Sequence, residues 1–416
     1  MARTGTDKKS GRRRWFSLHS WVGLKLSLLL FFVSLTGTLA VYAYEIDWLF
    51  TPGMRVDAPA GAEHQPVGTL IAAAIQYRPD WTPTYLYANP PGYMAAEVLA
   101  NDEEGGLQRL YINPYTGEVQ GTAGWFNVHR FLRQAHRHLM LPLQWGITIV
   151  SLLSIPLLLS MISAFPIFKR WWKGFSKIPK KGAPPRRWWG DLHRWLGVWS
   201  LPFILVIGLT GLWYLVERWG GSAPSSAGAL VQIPETRAMP TDADTLSRNL
   251  ERALAQWPGY RVDSVRFLGD NKPLIIQGQD RALLVRPRAN LLLVDPASGD
   301  ILDRLRGEQL SAHQRIAEAA DPLHFGTFGG QFTRFLWFVF GAMLCLLSAS
   351  GVWIYALRLC GAPGKRRPSG DAPQSARRPQ RPRSRWGVIW RGQTLGWLQA
   401  GLIAACFVLT GLALWS

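Results

Sequence analysis

The chain has 416 residues, 48% of them hydrophobic and 18% charged, with 21 Trp, 41 Gly, 28 Pro and a formal charge of +19. That charged fraction lies below the roughly 25% of soluble domains and argues against an ordinary soluble protein. Nor is the positive excess a nucleic-acid footprint: residues 1–14, 169–187 and 361–385 hold six, eight and eight Lys/Arg with two acids among them, and each cluster abuts an apolar run. Such a pattern reports membrane topology.

Crossing roughly 30 Å of hydrocarbon takes about 20 apolar residues. Five runs qualify, at about 21–44, 139–165, 195–216, 335–357 and 396–415. In chain order the pattern predicts a basic cytoplasmic N-terminus (1–14), a first span (15–45) and an outer domain (46–135). A second span (136–168), a basic cytoplasmic loop (169–191) and a third span (192–217) follow. A second outer domain (218–322), a fourth span (323–358), a disordered basic linker (359–390) and a fifth span (391–416) complete the chain. The positive clusters place the linking loops in the cytoplasm and both outer domains on the far side. The first apolar run is too long for the core of a signal peptide, so the expectation is a multi-pass membrane protein with a cytoplasmic N-terminus. Cys345, Cys360 and Cys406 have no disulfide or metal spacing, and CxxCH is absent, so no covalently attached haem is expected.

The chain repeats itself. Leu18-His19-Ser20-Trp21-Val22-Gly23 answers Leu192-His193-Arg194-Trp195-Leu196-Gly197, and Leu35-Thr36-Gly37 answers Leu209-Thr210-Gly211, both at an offset of 174. Further on, Asn113-Pro114-Tyr115-Thr116-Gly117 answers Asp295-Pro296-Ala297-Ser298-Gly299 at 182. The expected architecture is mainly α: a four-helix membrane core from two tandem helix–α+β domain–helix repeats, plus a fifth C-terminal helix. Each outer domain reads as one helix (66–77, 243–256) packed on a small antiparallel sheet with tight Asn-Pro and Asp-Pro turns. Two repeats that both enter from the cytoplasm are related by an axis along the membrane normal.

Taken singly, each of the eight histidines reads best as an amphipathic interface residue. The repeat changes the weighing. His19 and His193 open equivalent spans on the cytoplasmic side, while His136 and His324, 188 apart, open the second and fourth on the outer side. Paired imidazoles from facing helices are what the two axial positions of a b-type haem require. Zinc wants about four donors, and two per leaflet is the wrong number. His138 lies two residues from His136 and so points elsewhere on a helix, with Gly326 at its counterpart position. His129 is a candidate supporting group, and His64 and His313 fall in outer-domain sequence. Lys25 reads as snorkelling to the interface or neutralising a haem propionate, and Arg133, Arg194 and Arg334 carry the same two readings.

The Leu-His-x-Trp-x-Gly openings, the later Leu-Thr-Gly, Ala135-His136-Arg137-His138-Leu139 before the second span and Leu323-His324-x-Gly326 before the fourth resemble the PepSY-associated transmembrane proteins, over about residues 15–360. The resemblance implies PepSY-like outer domains and a di-haem ferric-siderophore reductase of the inner membrane. His19, His193, His136 and His324 match the histidines that ligate the two haems. The family usually has Leu before the second-helix histidine; Ala135 stands there, which keeps His138 as an alternative to His136. Neither the resemblance nor the residues explain the Arg/Pro linker and fifth helix.

The resulting expectation is an electron conduit. A cytoplasmic flavin or flavoprotein donates, two b-type haems relay, and a periplasmic acceptor, a ferric siderophore, is reduced to release Fe(II). The chain lacks a G-x-G-x-x-G fingerprint, so electrons must arrive from another carrier. The partners expected are donor, acceptor and lipid bilayer, with no nucleic acid. The competing classes are a non-redox membrane protein acting as a protease regulator or sensor, and a siderophore or metal permease.

Overall fold

A computed structural model describes residues 5–224, 233–360, 384–393 and 395–415. Most of the predicted basic linker, residues 361–383, lies outside the described residues. The first apolar run forms α1 (Gly5–Lys25) and α2 (Ser27–Ala40), bent by 64° at Leu26. Next come α3 (Ala43–Phe50) and α4 (Val67–Tyr77), then strands β1 (Thr82–Tyr87), β2 (Ala96–Asn101), β3 (Leu107–Ile112) and β4 (Val119–Gly124). Helix α5 (Val128–His138) precedes α6 (Leu143–Leu152) and α7 (Ser154–Ile167); α8 (Pro185–Trp199) and α9 (Leu201–Val216) follow the basic loop. The second outer segment supplies α10 (Ala243–Ala255), β5 (Arg261–Phe267), β6 (Leu274–Gln279), β7 (Asn290–Val294), β8 (Ile301–Leu305) and α11 (Ala312–Phe325). Last are α12 (Gly330–Cys360), the short α13 (Arg385–Gly392) and α14 (Gly396–Trp415).

Four helical stretches among the described residues, Leu143–Ile167, Leu201–Gly221, Thr327–Cys360 and Gly396–Leu414, are long and apolar enough to cross a membrane, or five if the bent α1–α2 pair is one span. The chain divides into a helical unit (Met1–Val41, Leu132–Arg218, Arg334–Ser416) and a sheet unit (Tyr42–Phe131, Trp219–Thr333).

In the sheet unit the two outer segments are one layer rather than two small sheets. The strand order is β4-β3-β2-β1-β5-β6-β7-β8, antiparallel throughout, and the halves join where β1 pairs with β5 at Leu86 and Val265. Period-two alternation explains the layer: Ala96, Val98, Ala100, Leu110, Ile112, Ile276 and Leu292 point to one face, where Leu70 and Ile71 of α4 and Leu246 and Leu250 of α10 cover them. Each fully buried Leu or Ile there contributes about 1.5–3 kcal/mol. The two helices cross closely: a Cβ at Gly68 would lie 2.5 Å from the Ser247 backbone nitrogen, and Thr69 Oγ1 meets Ser247 Oγ at 3.1 Å. On the seam, the Tyr85 hydroxyl donates to Gln277 Oε1 (3.0 Å) and lies 2.7 Å from Ser264 Oγ. Burial pushes this phenol up to about 12, so it keeps its proton.

The segments that lead to His136 and His324 are tied down locally. The Asp47 carboxylate accepts the backbone N–H groups of Val128 (2.9 Å) and His129 (3.0 Å), capping α5. Helix α11 starts with a Ser311/Gln314 capping box. Arg286, in the loop between β6 and β7, grips it through Glu318 (2.8 Å) and Asp321 (2.7 Å).

Candidate functional site

In the helical unit His19 of α1 and His193 of α8 come together, ring centroids 6.3 Å apart and planes at 85°. Their Nδ1 atoms are held by different helices. His19 Nδ1 lies 3.0 Å from the Ser160 carbonyl and 3.0 Å from Ser163 Oγ, both on α7. His193 Nδ1 lies 2.9 Å from Ser350 Oγ on α12. Each serine hydroxyl proton is already committed, Ser163 to the Ser160 carbonyl and Ser350 to the Leu347 carbonyl (3.0 Å each). The imidazoles must therefore donate from Nδ1, which leaves Nε2 with the free lone pair on both rings. This is the arrangement of metal-binding histidines, whose second nitrogen is fixed by a protein acceptor. Two imidazoles sharing one metal at about 2.0 Å each would have ring centres roughly 6 Å apart, which the observed spacing matches.

His136 carries the same signature. Its Nδ1 donates to the Val33 carbonyl at 2.8 Å, and its ring rests on α2, where a Cβ at Gly37 would lie 2.5 Å from Cε1. The glycine of the first Leu-Thr-Gly is thus the space the ring occupies. His324 belongs to the sheet unit, in the last turn of α11, with the Phe325 ring 5.7 Å away. Neither histidine opens a span directly. His136 precedes a break at Leu139 and Met140 (φ 55° and 58°), and His324 precedes Gly326 (φ 71°). His138 is buried and donates from Nδ1 to the Leu141 carbonyl at 2.8 Å, closing the first of these breaks. His129 stacks on Tyr44 with centroids 4.1 Å apart.

A family model described as the PepSY-associated TM region matches residues 16–358. The chain belongs to this family. It is also 25% identical over 252 residues to an uncharacterized protein of Pseudomonas aeruginosa, the match covering 53% of this chain and spanning 61% of that relative's length.

Of the four basic residues singled out in this PepSY-associated protein, Lys25, Arg194 and Arg334 are engaged with the protein itself. Lys25 Nζ donates to the Gly392 carbonyl at 2.8 Å. Arg194 pairs with Asp191 at 3.2 Å and lies over the Phe168 ring, and Arg334 donates to the Val41 carbonyl at 2.6 Å. Arg133 is exposed on α5. Sequence reasoning missed the serines that orient the His19–His193 pair. The signal was present: Ser163-Ala164 and Ser350-Gly351 stand 187 apart, within the drift of the repeat.

Proposed function

We propose that this membrane protein is a di-haem b-type oxidoreductase of a bacterial inner membrane, passing electrons from a cytoplasmic donor to a periplasmic acceptor, with a ferric siderophore as the substrate whose reduction releases Fe(II). The observation that carries the reading is the His19–His193 pair, 6.3 Å between ring centres with both Nδ1 atoms engaged. Two imidazoles are too few donors for a bare ion, which wants about four, and suit an iron whose equatorial positions a macrocycle fills. His19 and His193 would hold one haem; for the second, the sequence resemblance implies His136 and His324, of which His136 has its Nδ1 engaged in the same way. When bound, haem supplies reversible one-electron chemistry.

The chain's own part is to bind and orient. Ser160, Ser163 and Ser350 select the tautomer that frees Nε2, and the Val33 carbonyl does the same for His136. Gly37 admits the His136 ring.

The test uses proteoliposomes with a reduced flavin on the cytoplasmic face and a ferric siderophore on the other. Purified protein should be red with a low-spin b-type spectrum, and an impermeant Fe(II) dye should respond only on the siderophore side. His324→Ala should keep the inner haem reducible and abolish the dye response. A colourless preparation from haem-replete cells would overturn the reading and favour a non-redox regulator or sensor.

A further inference from the structure

The bend between α1 and α2 sits at Leu26, seven residues past His19, and no proline stands in it. In a continuous helix the Leu29 N–H would donate to the Lys25 carbonyl four residues back. That bond is replaced by the side-chain amide of Gln399, from α14. Gln399 Oε1 accepts the Leu29 N–H at 3.0 Å, and Gln399 Nε2 donates to the Lys25 carbonyl at 2.7 Å. One amide has been inserted into one rung of the helix, a recognised physical cause of a sharp kink. The ladder resumes at the next residue, where the Leu30 N–H donates to the Leu26 carbonyl at 2.9 Å.

The same C-terminal segment secures the bend at two further points. Gln393 Nε2 donates to Ser27 Oγ at 3.0 Å, and Lys25 Nζ reaches the Gly392 carbonyl at the end of α13. Gln399 is only 2% exposed in an otherwise apolar helix. A buried amide is costly unless its donor and acceptor are both matched, and this break matches both. The third span needs no such help: at the same offset of 174, Leu26 becomes Ser200, and Pro202 in the first turn of α9 has no N–H to continue the ladder.

We propose that Gln399 is a positioning residue: α14 drives its side-chain amide into the first span and holds the bend that sets His19 opposite His193. The positioning part rests on the reading of these histidines as haem ligands, whereas the wedge does not.

The test uses the full-length protein with the three native cysteines replaced by Ala and spin labels at Arg13→Cys and Leu35→Cys, exposed positions on either side of the bend. Gln399→Leu should lengthen the label separation by about 5 Å, as expected when two arms rising 1.5 Å per residue lose a bend of this size. Pro202→Ala should leave it unchanged. An unchanged separation in Gln399→Leu overturns the wedge. If that variant fails to accumulate, Gln399→Glu keeps the acceptor for Leu29 and removes the donor to Lys25; a broadened distance distribution is expected, and an unchanged one overturns the wedge equally.

A second readout is haem content and the electron paramagnetic resonance signal of the inner low-spin haem. Gln399→Leu should shift that signal or lower content from about two towards one per chain. A longer separation with both unchanged overturns the positioning role. Absence of haem from the unmutated protein overturns the ligand role of His19, and the distance still decides the wedge.

Discussion

The two repeats open alike and diverge in what holds them. In both, a Leu-His-x-Trp-x-Gly helix is interrupted seven residues after its histidine, at Leu26 and at Ser200. The second repeat breaks through its own Pro202, while the first breaks around an amide supplied 370 residues away. The sheet halves differ in the same spirit. Between β2 and β3 the chain turns tightly, the Asp102 carboxylate gathering the Gly106 N–H at 2.7 Å and Gln108 Nε2 at 2.8 Å. Between β6 and β7 a longer loop instead sends Arg286 to the helix that carries His324. Equivalent positions in a repeat can therefore share a break in the helix without sharing the interaction that produces it.

The largest expected effect tests what the repeats share. His19→Ala and His193→Ala should each lower haem from about two per chain towards one, with the same spectral component lost in both. Loss of different components would break the pairing.

Arg286→Met tests what they do not share. It leaves the buried Glu318 (side chain 6% exposed) with Arg288 alone at 3.1 Å, so the cost should fall below the roughly 3–5 kcal/mol of a buried pair broken outright. Thermal or denaturant unfolding should register this loss.

Ser163→Ala and Ser350→Ala ask whether the symmetry extends to the groups behind the ligands. Ser350→Ala should weaken haem retention by about 10- to 100-fold and Ser163→Ala by less, because the Ser160 carbonyl still holds His19 Nδ1, both read as haem transfer to an apoprotein acceptor. A large effect in one variant and none in the other would confine the symmetry to the histidines.

The smallest effect belongs to the first-repeat turn. Hydrogen bonds from Gln108 and from the backbone hold the Asp102 carboxyl below its ordinary range. A group whose folded value is depressed stabilises the fold above its unfolded value, and that contribution is lost as pH falls through the folded value. The stability gap between the unmutated protein and Asp102→Ala should therefore be present at neutral pH and close in acid below the usual carboxylate range. A gap independent of pH would assign the turn's stability to something other than this carboxylate.

The sequence by itself determined the apolar runs, the two outer segments, the family and the histidines worth pairing. Each of these is written locally, as a hydropathy window, a period of two or 3.6, or a motif repeated at a fixed offset. Local signals also marked Gly37, although only the structure shows that the His136 ring fills the space a side chain would take. The tertiary structure alone decided that the outer segments form one eight-stranded sheet, because the register of β1 on β5 depends on two strands about 180 residues apart. It also decided that His138 closes a turn, that Lys25 reaches the Gly392 carbonyl and that Gln399 bridges Lys25 and Leu29 at the α1–α2 bend. These are hydrogen bonds chosen by what else is buried nearby. Unpaired polar groups in an apolar interior take the nearest complementary partner, and only the assembled fold establishes which partner that is.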